Sequence, residues 1–170
     1  LKLMAAQGVF MGDGPADGEI AFLFPGQGSQ YVGMCRDLAE TYPVVAKTFE
    51  EAERILEPLL GEKLRTIVWP DGDVTPDEAD FRLRQTEYCQ PAMLAADVAM
   101  MRLLQAHGVK PTMVVGHSLG EYAAAVAAGV LTFGDALYAV SARGREMADV
   151  KVEDNGKMAV VAADVARVEE

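Results

Sequence analysis

Along the chain, two short uninterrupted apolar runs are separated by longer stretches in which apolar residues recur every three or four positions. The first run, 20–24, IAFLF, is stopped by PGQG and reads as a strand buried on both faces, as the strands of a parallel sheet are. Residues 31–39 read as a helix. Pro43 opens a second, where Val44, Thr48, Phe49, Ala52, Ile55, Leu56 and Leu59 make one apolar face that Gly61 closes. Stretch 70–80, PDGDVTPDEAD, is dense in turn residues and acids and reads as a solvated surface excursion; the ligand spacing of a calcium loop is absent. From 91 to 107 an alanine- and methionine-rich helix runs to Gly108. The run PTMVVGHS, 111–118, supplies the second buried strand. Helices follow over 119–128 and about 133–148, and KMAVVA, 157–162, starts another strand. This order predicts an α/β fold with a mainly parallel sheet and flanking helices.

Composition narrows the classes. Half of the 170 residues are apolar and about a quarter are charged, which suits a globular chain with a substantial core and a length that allows one domain. Residues 1–18, rich in Gly, Asp and Pro towards their end, read as a linker, and 19–156 as the body of the α/β unit. The chain opens on Leu1 and ends on VARVEE, which reads as the middle of an element, so we expect an excised or cleaved piece. A net charge of -11 without clustered Lys or Arg argues against a nucleic-acid partner. Cys35 and Cys89 are too few for a disulfide framework and no Cys/His cluster has metal-ligand spacing, so the expectation is a reducing, cytoplasmic setting and no metal. The longest uncharged apolar stretch, 122–133, is too short to span a bilayer, and the first residues show no basic segment followed by an apolar run.

The chemistry concentrates after the second strand. Gly116-His117-Ser118-Leu119-Gly120 matches G-x-S-x-G, a pattern that demands a sharp strand-to-helix turn with the serine in a strained backbone conformation at a helix N-terminus. Ser118 is a candidate nucleophile; the alternative is a structural turn. The loop after the first strand, PGQGSQ, lacks the lysine of a P-loop and the glycine spacing of a dinucleotide site, but ligands of such sheets sit beyond the carboxyl ends of the strands, so both loops can face one cleft. On the helix after residue 133, Arg143 shares a face with Ala136, Ala139, Val140 and Met147. A guanidinium beside an apolar stripe needs an anion, either a ligand carboxylate or an acid of the chain.

Taken in order, FPGQGSQ at 24–30, QPAMLAA at 90–96, GHSLGEYAAA at 116–125 and Arg143 resemble the motifs of the malonyl-CoA:acyl carrier protein transacylase family, which includes the acyltransferase domains of fatty acid and polyketide synthases. The resemblance runs from about residue 20 to the end. It implies an α/β-hydrolase-like large subdomain and, from 157 to 170, the beginning of a small ferredoxin-like subdomain. It implies that Ser118 takes the acyl group from malonyl-CoA as an ester and passes it to the phosphopantetheine thiol of an acyl carrier protein, with no bound cofactor. The backbone N–H groups of Gln27 and Leu119 would form the oxyanion hole. Gln90 and His117 would line the pocket, and Arg143 would grip the malonyl carboxylate. Leu119 after the serine resembles the malonyl-selective pattern, whereas Gln there is usual with methylmalonyl.

A serine hydroxyl needs a base. His117 is its direct neighbour, so the ring should diverge from the hydroxyl, and His107 ends a helix beside Gly108, where a structural role is expected. The resemblance puts the family's histidine well downstream, outside these 170 residues. The expected partner set is therefore a coenzyme A thioester, a carrier protein and the remaining part of the same domain, and the chain by itself is expected not to transfer acyl groups. Two other readings stay open: a G-x-S-x-G esterase or thioesterase, for which a buried arginine has no use, and an inert scaffold piece of a synthase.

Overall fold

The computed structural model describes residues 18–150 and 161–168. Strand β1 (Ala21–Phe24) is followed by helices α1 (Arg36–Thr41), α2 (Pro43–Leu60), α3 (Leu64–Val68), α4 (Pro76–Arg84) and α5 (Thr86–Ala106). Strand β2 (Met113–Gly116), α6 (Gly120–Ala127), α7 (Phe133–Asp149) and the single turn α8 (Val165–Val168) complete the order. The strands are parallel, in register from Ala21 opposite Met113 to Phe24 opposite Gly116. The α/β expectation holds in its coarse form. Among the described residues the sheet has two strands and the helices dominate.

Helix α5 is the centre of the core. Cys89, Ala92, Ala95, Val98 and Ala99 are fully buried, and α2, α6 and α7 all pack on it. Small residues on α5 let those helices approach closely, as ridges settle into shallow grooves. The tightest approach involves Gly144 of α7: a Cβ there would stand 2.8 Å from the carbonyl oxygen of Thr86. That contact sets α7 beside the first turns of α5 and so decides where Arg143 lies. On α2 the buried Glu53 receives the Nε and Nη2 of Arg65, at 3.1 and 2.6 Å. Burial pushes the Glu53 carboxyl up, but the Arg65 hydrogen bonds and charge outweigh it and leave it below its ordinary value.

Several expectations need correction. Neither strand is covered on both faces: Phe22 and Phe24 are buried, while Leu23, Met113 and Val115 are exposed among the described residues. The first helix begins at Arg36 rather than 31, because Gly33 and Cys35 both have positive φ and hold the chain in turns until then. Part of the acidic excursion is helix α4. Its start is a capping box in which the Thr75 hydroxyl accepts from the Glu78 N–H and the Glu78 carboxylate accepts from the Thr75 N–H, so the acids serve the helix N-terminus. Helix α5 begins at Thr86, five residues before Pro91, so the proline lies inside the helix and leaves the Glu87 carbonyl without the N–H four residues on. The ends at Gly61 and Gly108 are left-handed, as their sequence positions predict. Most of the linker 1–18 and of the strand 157–162 lies outside the described residues, and the ferredoxin-like beginning stays an expectation.

Candidate active site

The turn after β2 has the demanded strain. Ser118 has φ 53°, and it and Cys35 are the two non-glycine residues with positive φ among the described residues. Such a conformation costs a side-chain-bearing residue about 1–2 kcal/mol and persists where the surroundings enforce it. Three glycines do so here. A Cβ on Gly116 would overlap the backbone of Gly120 and Glu121, and one on Gly120 would overlap the carbonyl oxygens of Phe24 and Pro25. A Cβ on Gly26 would stand 2.6 Å from the carbonyl oxygen of His117. The strand end, the helix start and the PGQG loop are thus in backbone contact, and the His117 N–H donates to the Phe24 carbonyl at 3.0 Å.

This packing brings the two loops to one place, as their shared position at strand ends predicts. Leu119 buries its side chain completely while Ser118 stays exposed. Gln27 sits in a turn in which the Gly28 N–H donates to Gln30 Oε1 at 2.7 Å. Among the described residues the N–H groups of Gln27 and Leu119 have no hydrogen-bond acceptor. Both are therefore free to donate to an anion.

Gln90 and Arg143, distant in sequence, are joined. The Arg143 Nη1 donates to Gln90 Oε1 at 2.7 Å, and the buried Gln90 amide donates from Nε2 to the Met147 sulfur at 3.3 Å. Among the described residues Arg65, Arg82, Arg84 and Arg102 each pair with an acid; Arg36, Arg54, Arg143, Arg145 and Arg167 do not, and of these five Arg143 is the one that is half-buried and held by a buried side-chain amide while the others are exposed. The acid that sequence reasoning allowed as an internal partner is not found there. A half-buried guanidinium held by a neutral amide keeps donors for a carboxylate from outside.

Neither histidine is hydrogen-bonded to Ser118 among the described residues. His107 Nδ1 lies 2.9 Å from the Leu103 carbonyl, and its ring meets Tyr42 edge to face at 5.5 Å. The His117 ring lies against Gly26: a Cβ there would be 3.3 Å from Nδ1. Among the described residues nothing hydrogen-bonds the Ser118 hydroxyl. No group of three or more His, Cys, Asp or Glu among them could hold a metal, and none of their helices is long and apolar enough to cross a membrane.

Sequence reasoning missed Asp97. It is 8% exposed, and its Oδ2 is buried without a partner. The available signal was a single acid inside the apolar run AMLAADVAMM. Burial pushes its carboxyl up from 3.8 to about 7, and burial together with the Asp97 charge pushes the neighbouring Cys35 thiol to about 11. The folded chain then holds a proton that the unfolded chain has released, so stability should fall as pH rises from about 4 to about 7. The loss is on the order of 4 kcal/mol, since each tenfold difference in proton affinity between the folded and unfolded chain is worth roughly 1.4 kcal/mol. Urea titrations across that range should show this slope in the native chain and not in Asp97→Asn; an identical slope in both would remove Asp97 as its cause.

Comparison with known proteins places this arrangement. The sequence profile of the acyl transferase domain family matches residues 21–170. The chain belongs to that family. This acyltransferase chain is 46% identical over 144 residues to the malonyl CoA-acyl carrier protein transacylase of Escherichia coli O157:H7, a match over 84% of the chain and 43% of that protein. It is 45% identical over 142 residues to the polyketide synthase GfsB of Streptomyces halstedii, covering 84% of the chain and 2% of that protein. A solved type II polyketide synthase acyl-carrier protein in complex with its malonyl-transacylase superposes with a TM-score of 0.63 at 44% identity, over 76% of the acyltransferase chain and 39% of that one. The chain thus spans less than half the length of the transacylase it matches.

Proposed function

We propose that the chain carries the nucleophile and acyl-binding side of a transferase that moves a malonyl-type group from coenzyme A to an acyl carrier protein, in fatty acid or polyketide synthesis. The observation that carries this reading is the Arg143 guanidinium, held by Gln90 at 2.7 Å with no acid of its own among the described residues. An ordinary esterase pocket has no need of it. Ser118 Oγ attacks the thioester carbonyl, its proton passing to a base that neither His107 nor His117 supplies, and the N–H groups of Gln27 and Leu119 receive the developing oxyanion. Each such donor lowers the barrier by about 3 kcal/mol. Collapse expels the coenzyme A thiolate, which takes up a proton. The carrier's phosphopantetheine thiol then attacks the Ser118 ester through a second tetrahedral intermediate at the same N–H groups, and the serine recovers its proton. Arg143 holds the free carboxylate through both halves.

The names of the relatives support this assignment of donor and acceptor. The test uses a chimera in which this chain is continued by the part of the E. coli transacylase beyond the match. Incubation with radiolabelled malonyl-CoA should leave label on the peptide containing Ser118, and added holo carrier protein should remove it. A folded chimera with no ester would favour the scaffold reading; an ester lost to water at the same rate with or without carrier would favour a hydrolase.

Arg143→Ala should cut malonyl loading about a hundredfold, the loss of two charge-assisted hydrogen bonds at roughly 1.5 kcal/mol each. Acetyl loading should stay within a few-fold, since acetyl has no carboxylate to hold. Equal losses with both thioesters would show that Arg143 acts on the fold and not on the carboxylate.

A further inference from the structure

Helix α7 supplies both ends of the Gln90 side-chain amide with a partner. The Arg143 Nη1 donates to Oε1 at 2.7 Å, and Nε2 donates to the Met147 sulfur at 3.3 Å. Residues 143 and 147 are one helical turn apart on α7, so their side chains stand over each other on one face. Gln90 reaches them from α5, which the contact of Gly144 with Thr86 holds close. It is 0% exposed, so water can take neither end, and among the described residues the Met147 sulfur is the acceptor that Nε2 finds. Met147 itself is half-exposed.

Together these bonds admit one orientation of the amide. Turned over, it would set its NH2 against the Arg143 guanidinium, donor against donor, and its carbonyl against a sulfur that has no proton to give. A buried amide N–H without an acceptor costs more than a weak hydrogen bond returns, so even a soft acceptor such as a thioether fixes the group. The softness serves the site in a second way. A thioether satisfies the N–H without presenting a charge, whereas a carboxylate at position 147 would lie one turn from Arg143 and pair with it. We propose that Met147 is a positioning residue for the malonyl carboxylate: its sulfur turns the Gln90 amide so that Oε1 faces Arg143, and the guanidinium is held with its remaining N–H donors free. Selectivity for a carboxylated acyl group, which rests on the acyl-transfer reading above, is then the work of Arg143, Gln90 and Met147 together. Met147 acts through the other residues and need not touch the substrate.

Met147→Leu keeps the bulk and apolar character of the side chain and removes the acceptor, and Met147→Gln restores one as a carbonyl oxygen. In the chimera, Met147→Leu should raise the KM for malonyl-CoA about tenfold, the worth of one hydrogen bond lost behind Arg143, and leave kcat within about twofold. Both constants for acetyl-CoA should stay within about twofold in the same variant, since acetyl makes no use of Arg143. Met147→Gln should bring the malonyl-CoA KM back to within about threefold of the original. A second readout, independent of catalysis, is solvent exchange of the Gln90 side-chain amide protons, followed by nitrogen NMR in the chain itself. It should quicken at least about tenfold in Met147→Leu and not in Met147→Gln, while the backbone amides of Leu94 and Val98 on α5 stay protected in every variant. A KM that rises equally for malonyl-CoA and acetyl-CoA, or an unchanged exchange rate in Met147→Leu, would overturn the proposal. So would a Met147→Gln chimera as impaired as Met147→Leu. If the chimera with Met147 in place forms no ester, it is the transfer reading that fails, and the exchange of the Gln90 amide then decides by itself whether Met147 orients it.

Discussion

Replacing Ser118 by alanine is expected to abolish the malonyl ester in the chimera, a loss of at least about a thousandfold in transfer, while the stability of the chain stays within about 0.5 kcal/mol of the original. Ser118 sits at φ 53° in both proteins, since serine and alanine carry the same Cβ and meet the same steric cost there. The hydroxyl makes no hydrogen bond among the described residues, so its removal leaves no partner stranded. Ser118→Gly should be equally inactive and more stable by about 1 kcal/mol, because glycine adopts that conformation freely. Two inactive variants with different effects on stability separate chemistry from folding. If Ser118→Ala lost stability together with activity, the hydroxyl would be holding the turn; if the ester persisted, the nucleophile would lie elsewhere.

Gly120→Ala is expected to cost at least about 4 kcal/mol, enough to unfold a chain of ordinary stability. The added Cβ would overlap the carbonyl oxygens of Phe24 and Pro25, both backbone atoms, and no side chain can rotate away to make room. Either β1 and α6 separate or the elbow opens, and either movement carries Leu119 and Gln27 apart. Gly134→Ala is the control. Gly134 lies inside α7, where the new methyl would meet only the end of Ile55 at 3.5 Å and the Thr132 hydroxyl at 3.9 Å, and alanine should gain about 0.5–1 kcal/mol of helix propensity. Thermal melts of both variants decide the matter. A Gly120→Ala chain melting within a few degrees of the original would mean that the strand and helix have room to spare.

Much of the candidate site was legible because its causes are local. The positive φ at Ser118 follows from small residues two positions to either side, and the helix ends at Gly61 and Gly108 from the same steric rule. The reading failed where local signals were ambiguous or where long-range packing decided. Thr75-Pro76-Asp77-Glu78 has turn residues and acids in common with a loop, and only the reciprocal Thr75–Glu78 hydrogen bonds make it a helix start. The run 20–24 is apolar throughout, so composition alone could not tell that one face and one edge stay open among the described residues. Asp97 reads as a surface acid until the helix around it is seen to be buried on nearly every side.

The sequence by itself determined the alternation of strands and helices, the elbow and its nucleophile candidate, and Arg143 as a cation in want of an anion, because periodicity and glycine placement act within a few residues. Only the tertiary structure decided that the anion is not an acid of the described chain. Gly144 lets α7 approach Thr86 closely enough to set Arg143 against Gln90, 53 positions away along the chain. The same packing brought the PGQG loop, with the free N–H of Gln27, against the elbow that carries Leu119, and buried Asp97 without a partner for Oδ2. Those are consequences of which surfaces meet, and no run of residues read in order contains them.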